Sequence, residues 1–223
     1  MNLRLIAAAA AIVVTATPAM ATEEDGNVWL GQFATINAND KVYVRLEAQE
    51  RFTNDAERLG QLLLRSLVAY RINKDVNIGA GYAFVLTDPV GPVELNEHRF
   101  YQELNIRMLT TAGGTTLDAR TRLEQRTFEE RDETAWRLRQ FVQLRVPISE
   151  KGHRIVAYTE PFVDLNETDV QRGGLSIWRN FVGVSIPVAK GIDVVPGYLN
   201  QHVFRDGQDR SDHTANVNLF MTF

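Results

Sequence analysis

Between Leu117 and Val146, charge falls at every second residue. Asp118, Arg120, Arg122, Glu124 and Arg126 form one run, and Arg137, Arg139, Gln143 and Arg145 form the next. The same spacing recurs in Arg45-x-Glu47 and Arg51, in Arg65, in Arg99, Glu103 and Arg107, in Arg154 and Glu160, and in Arg179. Guanidinium and carboxylate groups at this density can form planar, fork-like ion pairs in a confined space. Left unpaired along a water-filled channel, the arginines would instead select anions. Buried charge persists only when paired and hydrogen-bonded. The first expectation is therefore a lumen filled by Arg–Glu pairs, and a small anion-preferring pore is the alternative.

Other chemistry is weakly encoded. His98, His153, His202 and His213 lie at or near expected loops. A lipid-modifying hydrolase or acyltransferase could use a rim histidine with a serine or an acid. Glu97 and His98 are neighbours, but adjacent residues on a strand face opposite ways. No catalytic residue is assigned. Asp164, Glu167 and Asp169 could offer oxygen ligands to Ca²⁺ but match no calcium-loop spacing, so no metal site is expected. Gly113-Gly114 lacks the glycine spacing and following helix of a phosphate loop. The chain has no cysteine, which removes thiol, zinc-thiolate and iron–sulfur chemistry. No cofactor is expected.

The elements that must carry these residues are strands. Leu117, Ala119, Thr121 and Leu123 alternate with the first charged run, and Trp136, Leu138, Val142, Leu144 and Val146 with the second. A period of two means opposite faces of a β-strand. The pattern predicts strands over 27–36, 42–52, 62–72, 76–86, 97–108, the two central runs, 154–162, 175–186, 192–201 and 213–223, and no helix beyond the first residues. Pro161 and Pro196 mark bulges or ends. Gly79 and Gly81 fall on the charged face and are expected to clear room for large arginines, as small and large side chains alternate in a narrow barrel. The connections alternate, short at 73–75, 149–152 and 189–191, long at 53–60, 87–96, 164–174 and 202–212. That asymmetry suits an outer-membrane barrel, whose strand number is normally even. Eleven segments therefore predict ten or twelve strands in a single antiparallel transmembrane barrel.

The compartment follows from the first residues. Arg4, an apolar run from Leu5 to Ala16, and an Ala19-Met20-Ala21 end describe a secretory signal peptide cleaved after Ala21. The apolar run is shorter than the roughly 17–25 residues of a spanning helix. The expected division is a signal peptide over 1–21 and a barrel over 22–223. The net charge of −4 argues against a nucleic-acid partner.

Alternation alone does not say which face looks outward. A soluble, lipocalin-like periplasmic binding protein would bury the apolar face. Phe52, Tyr70, Phe84, Phe100, Trp136 and Trp178 cluster near strand ends on that face, as in an interfacial girdle. The chain closes on an amphipathic strand ending in Phe223, which resembles the signal read by the outer-membrane barrel assembly machinery. The expectation is the outer membrane of a Gram-negative bacterium, with lipid as partner. Ser66, Gln102, Gln125, Gln140 and Asn180 interrupt the apolar face. They are expected to form a polar band near the outer rim that meets lipopolysaccharide or a second protomer of a homo-oligomer.

Glu97-His98-Arg99, Tyr101-Gln102-Glu103-Leu104, Arg120-Thr121-Arg122-Leu123-Glu124-Gln125-Arg126 and Arg137-Leu138-Arg139 resemble the motifs of a bacterial family of unknown function, number 2490. Gly79-Ala80-Gly81-Tyr82 and Gly197-Tyr198-Leu199-Asn200-Gln201 are similar to it as well. The resemblance covers essentially the whole chain after residue 21. It implies a small outer-membrane barrel and brings no activity and no catalytic residues.

Overall fold

The structure, a computed structural model, describes residues 23–88, 95–129 and 131–223. The expected signal peptide lies outside these residues. Eleven strands follow one another: β1 (Glu23–Asn37), β2 (Val42–Thr53), β3 (Arg58–Arg71), β4 (Val76–Thr87), β5 (Leu95–Thr110), β6 (Thr116–Phe128), β7 (Ala135–Pro147), β8 (Arg154–Thr168), β9 (Gln171–Ala189), β10 (Ile192–Val203) and β11 (Arg210–Thr222). Each pairs with its sequence neighbours, and β1 pairs with β11, so the sheet closes into a barrel.

The barrel expectation holds, but the count is neither ten nor twelve. The 27–36 segment is a full barrel strand. Strands joined by hairpins alternate in direction, so an odd number brings the first and last to the seam running the same way. β1 and β11 pair in parallel, from Glu23 opposite Arg210 to Thr35 opposite Thr222. All other pairs are antiparallel. β1 therefore begins at one rim and β11 ends at the other. We call the rim carrying residues 54–57, 88, 129, 131–134, 169–170 and 204–209 the upper rim, and its opposite the lower.

The expected contrast of loop lengths disappears. Residues 164–174 are mostly strand, with Thr168 opposite Gln171 and only 169–170 between β8 and β9. The connection after β2 shrinks to 54–57. Polar sequence there extends the strands, because the backbone groups still pair and the side chains bond each other: Gln171 Nε2 donates to Asn166 Oδ1 at 2.9 Å. Residues 89–94 of the expected 87–96 loop lie outside the described residues. β8 also runs past Pro161, with register shifts only beyond it, at Phe162/Val163 and Asp164/Glu167. β10 keeps Pro196 opposite Val217.

The two faces separate by chemistry. Outward stand Leu46, Leu64, Val68, Tyr70, Phe100, Leu104, Met108, Trp136, Trp178 and Val182, all exposed. Inward stand the arginines and acids, with two apolar clusters among them. One is Trp29, Val156, Phe181, Val195 and Leu199. The other is Tyr43, Leu67, Ala69 and Tyr101.

The glycines of β4 fit the second cluster. A Cβ on Gly81 would collide with the Tyr101 ring and the Ser66 carbonyl, and one on Gly79 would crowd Leu67 Cδ1. The room they leave is filled by Tyr101 and Leu67, not directly by arginine as expected. Of the interrupting outward residues, Gln125 and Gln140 lie in the upper half of their strands. Gln102, Asn180 and Ser66 are near mid-strand.

Candidate functional site

The interior charges are held by strand register. Glu103 of β5 faces Arg122 of β6, which faces Arg139 of β7. One step higher, Tyr101 faces Glu124, which faces Arg137. These adjacencies put each guanidinium within reach of a carboxylate on the next strand. Arg122 Nε donates to Glu103 Oε2 at 2.9 Å. Arg137 Nη2 donates to Glu124 Oε2 at 2.6 Å, and Arg139 Nη1 to Glu124 Oε1 at 2.8 Å. Arg139 Nη2 also donates to Glu160 Oε1 at 2.8 Å, which accepts from Arg120 too. From β2, Arg45 Nη2 reaches Glu103 Oε1 at 2.9 Å. The result is one chain of charges: Arg45, Glu103, Arg122, Glu124, Arg139, Glu160, Arg120. Arg122 and Glu124 are 0% and 1% exposed.

Two smaller groups flank it. Arg65 Nη1 donates to Glu47 Oε1 at 2.7 Å. Glu97 accepts from Arg99 Nη2 at 2.7 Å and from Arg126 Nη2 at 3.1 Å, while Arg126 Nη1 reaches Gln171 Oε1 at 3.2 Å.

Aromatic rings join the central chain and the Arg65–Glu47 pair into a closed circuit around the lumen. The Arg179 guanidinium carbon lies 5.0 Å from the Trp29 ring centre and 4.7 Å from that of Phe162. Arg139 lies 4.2 Å from Phe162. Through Glu124 the contacts pass to Arg122, which is 4.3 Å from the Tyr101 ring. Arg65 also approaches Tyr101, at 5.7 Å, and pairs with Glu47. Glu47 accepts from Gln49, Gln49 from Arg51 Nη2 at 2.7 Å, and Arg51 returns to Trp29 at 4.2 Å. Cation–π contacts of this kind contribute about 0.5–2 kcal/mol each.

The circuit divides the interior. Below it lies a cavity of about 390 Å³ that reaches Lys74 and Asp75 at the lower rim. Above it lies one of about 680 Å³ that reaches Asn54, Asp55 and Asp88 at the upper rim. Trp29, Arg51, Arg139 and Arg179 line both.

Some expected lumen residues stand apart from the circuit. Arg107 and Arg145 are exposed near the lower rim, where they bond Asp118 and Gln143. Arg154 is half-buried there and has no ion pair among the described residues. Sequence reasoning missed Glu97 as an interior acid, treating it only as a neighbour of His98. It also missed Trp29 and Phe162 as interior rings, while Tyr101 falls on the charged face of β5 as its spacing predicts. Their position on the charged parity of their strands was the available signal.

The histidines do not form a catalytic group. Glu97 and His98 part to opposite faces. His98 Nδ1 shares a hydrogen bond with the Tyr82 hydroxyl at 2.6 Å on the outer surface, and Tyr198 and His213 repeat this at 2.6 Å. Ser149 Oγ lies 2.7 Å from His153 Nδ1, but no carboxylate among the described residues pairs with that histidine. His202 Nε2 lies 3.1 Å from Asp209 Oδ2. The backbone N–H of Arg205 donates to Asp209, and together with His202 it holds that carboxyl below its usual range. Among the described residues no group of side chains could hold a metal ion.

Residues 26–212 match the family described as "Protein of unknown function (DUF2490)". The chain belongs to this family. A bacterial relative, described as an uncharacterized protein of Methylorubrum extorquens, is 30% identical over 225 residues, covering 99% of this chain and 98% of the relative. No solved structure matches.

Proposed function

We propose that this family member is an outer-membrane β-barrel of a Gram-negative bacterium, exported behind a cleaved signal peptide, with a lumen held shut by its ring of ion pairs and aromatic contacts. Its role is structural or lipid-interacting. The observation that carries this reading is the inversion of a soluble core. Phe100 and Met108 are 53% and 59% exposed on the outside, while Arg122 is fully enclosed. Water-soluble monomers rarely expose contiguous apolar surface beyond a few hundred Å², whereas lipid favours a closed sheet with this face outward. No helix among the described residues is long and apolar enough to cross a membrane, which says nothing of crossing by strands.

The circuit supports the closed lumen, because each arginine in it is tied to a carboxylate, an amide or a ring. A second reading is an anion-preferring pore, favoured by the two cavities meeting at Arg51, Arg139 and Arg179. Detergent extraction and heat-modifiable gel mobility test the membrane placement; a protein soluble without detergent overturns it. Planar-bilayer recording then separates the two readings. The closed barrel gives no unitary conductance, and steady anion-selective steps establish the pore.

A further inference from the structure

Two arginines in the circuit have no acid. Arg51 gives Nη1 to Gln61 Oε1 at 2.6 Å and Nη2 to Gln49 Oε1 at 2.7 Å. Arg179 gives Nε to Gln201 Oε1 at 2.7 Å, and Gln201 is itself held by Asp212 Oδ2 at 2.7 Å. Among the described residues, no carboxylate lies within ion-pair distance of either guanidinium, and the terminal nitrogens of Arg179 have no hydrogen-bond partner. Trp29 is in cation–π contact with both, at 4.2 Å from Arg51 and 5.0 Å from Arg179. It is 7% exposed, and its Nε1 is a buried donor without a partner. Two cations thus approach one indole, with no carboxylate within ion-pair distance of either. An unsatisfied buried donor is costly, and neighbouring guanidinium groups raise that cost by mutual repulsion.

We infer that Arg51, Arg179 and Trp29 form a binding site for a phosphate-class oxyanion, entered from the upper cavity. Two guanidinium groups that share one ring, 4.2 and 5.0 Å from its centre, suit an acceptor that offers oxygens in several directions. A tetrahedral phosphate does so, and a planar carboxylate offers only two oxygens. Amide oxygens at Gln49, Gln61 and Gln201 orient the guanidinium groups without neutralising them, which leaves the charge available to a ligand. The upper cavity, about 680 Å³, admits a phosphate or a small phosphate ester. The inference does not depend on membrane placement or on conductance.

The test uses the full mature barrel in detergent, carrying W136F and W178F so that Trp29 is the one remaining indole. Inorganic phosphate is titrated against tryptophan emission, with chloride at equal ionic strength as reference. A saturable change with phosphate and none with chloride is expected. R51Q and R179Q each weaken it roughly tenfold or more, as loss of a charge-assisted hydrogen bond should, and K190Q at the distant 190–191 turn leaves it intact. Heat-modifiable mobility shows that each variant is folded, and R179K partly restores binding. A parallel titration with short-chain phosphatidylglycerol identifies the source: a response to phosphate alone marks a free solute, and one to both marks a headgroup that shares the site. No saturable response to either probe, or an affinity unchanged in both R51Q and R179Q, overturns the proposal.

Discussion

Arg45 on β2 meets Glu103 on β5 at 2.9 Å, passing over β3 and β4. The strands between are low enough to allow it. Arg45 faces Leu67, Leu67 faces Gly81, and Gly81 faces Tyr101; beside them Ala69 faces Gly79, which faces Glu103. Small residues on β4 flatten the wall, and a long side chain crosses it to reach an acid three strands round.

This contact gives a first prediction. Glu103 serves both Arg45 and Arg122. Replacing it by glutamine leaves half-buried Arg45 without an acid and enclosed Arg122 with only Glu124 at 3.7 Å, and breaking a buried pair this way costs about 3–5 kcal/mol. E103Q should unfold at markedly lower temperature in the heat-modifiability assay. The double change R45M/E103M should cost less than the sum of its parts, because it removes a cation along with the acid.

Gly81 is expected to tolerate no side chain. Valine there must displace the Tyr101 ring, against which Arg122 and Arg65 stack. Overpacking of this kind costs about 1–3 kcal/mol. G81V should lower the unfolding midpoint, and G81V/Y101A should recover part of the loss.

The outward face can be tested with one lysine. Leu64, at the middle of β3, is 46% exposed. In water, L64K would change stability by no more than about 0.5 kcal/mol. In a bilayer, a lysine near the midplane of the lipid face costs about 2–4 kcal/mol. Folding of L64K into lipid vesicles, measured against urea, should show the larger value. A change near zero would return the apolar face to water.

The alternation of hairpins makes a topological prediction. The turns at Asp55 and at Lys190 lie on opposite rims. The chain has no cysteine of its own, so D55C and K190C report cleanly. A membrane-impermeant maleimide added to intact cells should label one and spare the other until the envelope is opened.

Each of the eleven strands was legible in the sequence, because a strand with one polar and one apolar face writes its period directly. The Arg–Glu character of one face was legible for the same reason. Strand ends were less so: Asp164 to Gly174 reads as a polar loop, yet backbone pairing carries β8 and β9 through it. Glu97 was hidden by its neighbour His98, since only parity separates an interior acid from an outer-surface histidine.

What the sequence determined by itself was local: alternation, a charged face, an apolar face, and turns between them. Which partner each arginine takes was decided by the closed barrel. Arg45 and Glu103 are 58 residues apart in the chain, and Trp29 meets Arg179 only because β1 seals against β11. That seam is parallel, a property of the whole count of strands and of no single one. Period-two patterning fixes the direction of a side chain; only closure and register fix what lies across the lumen from it.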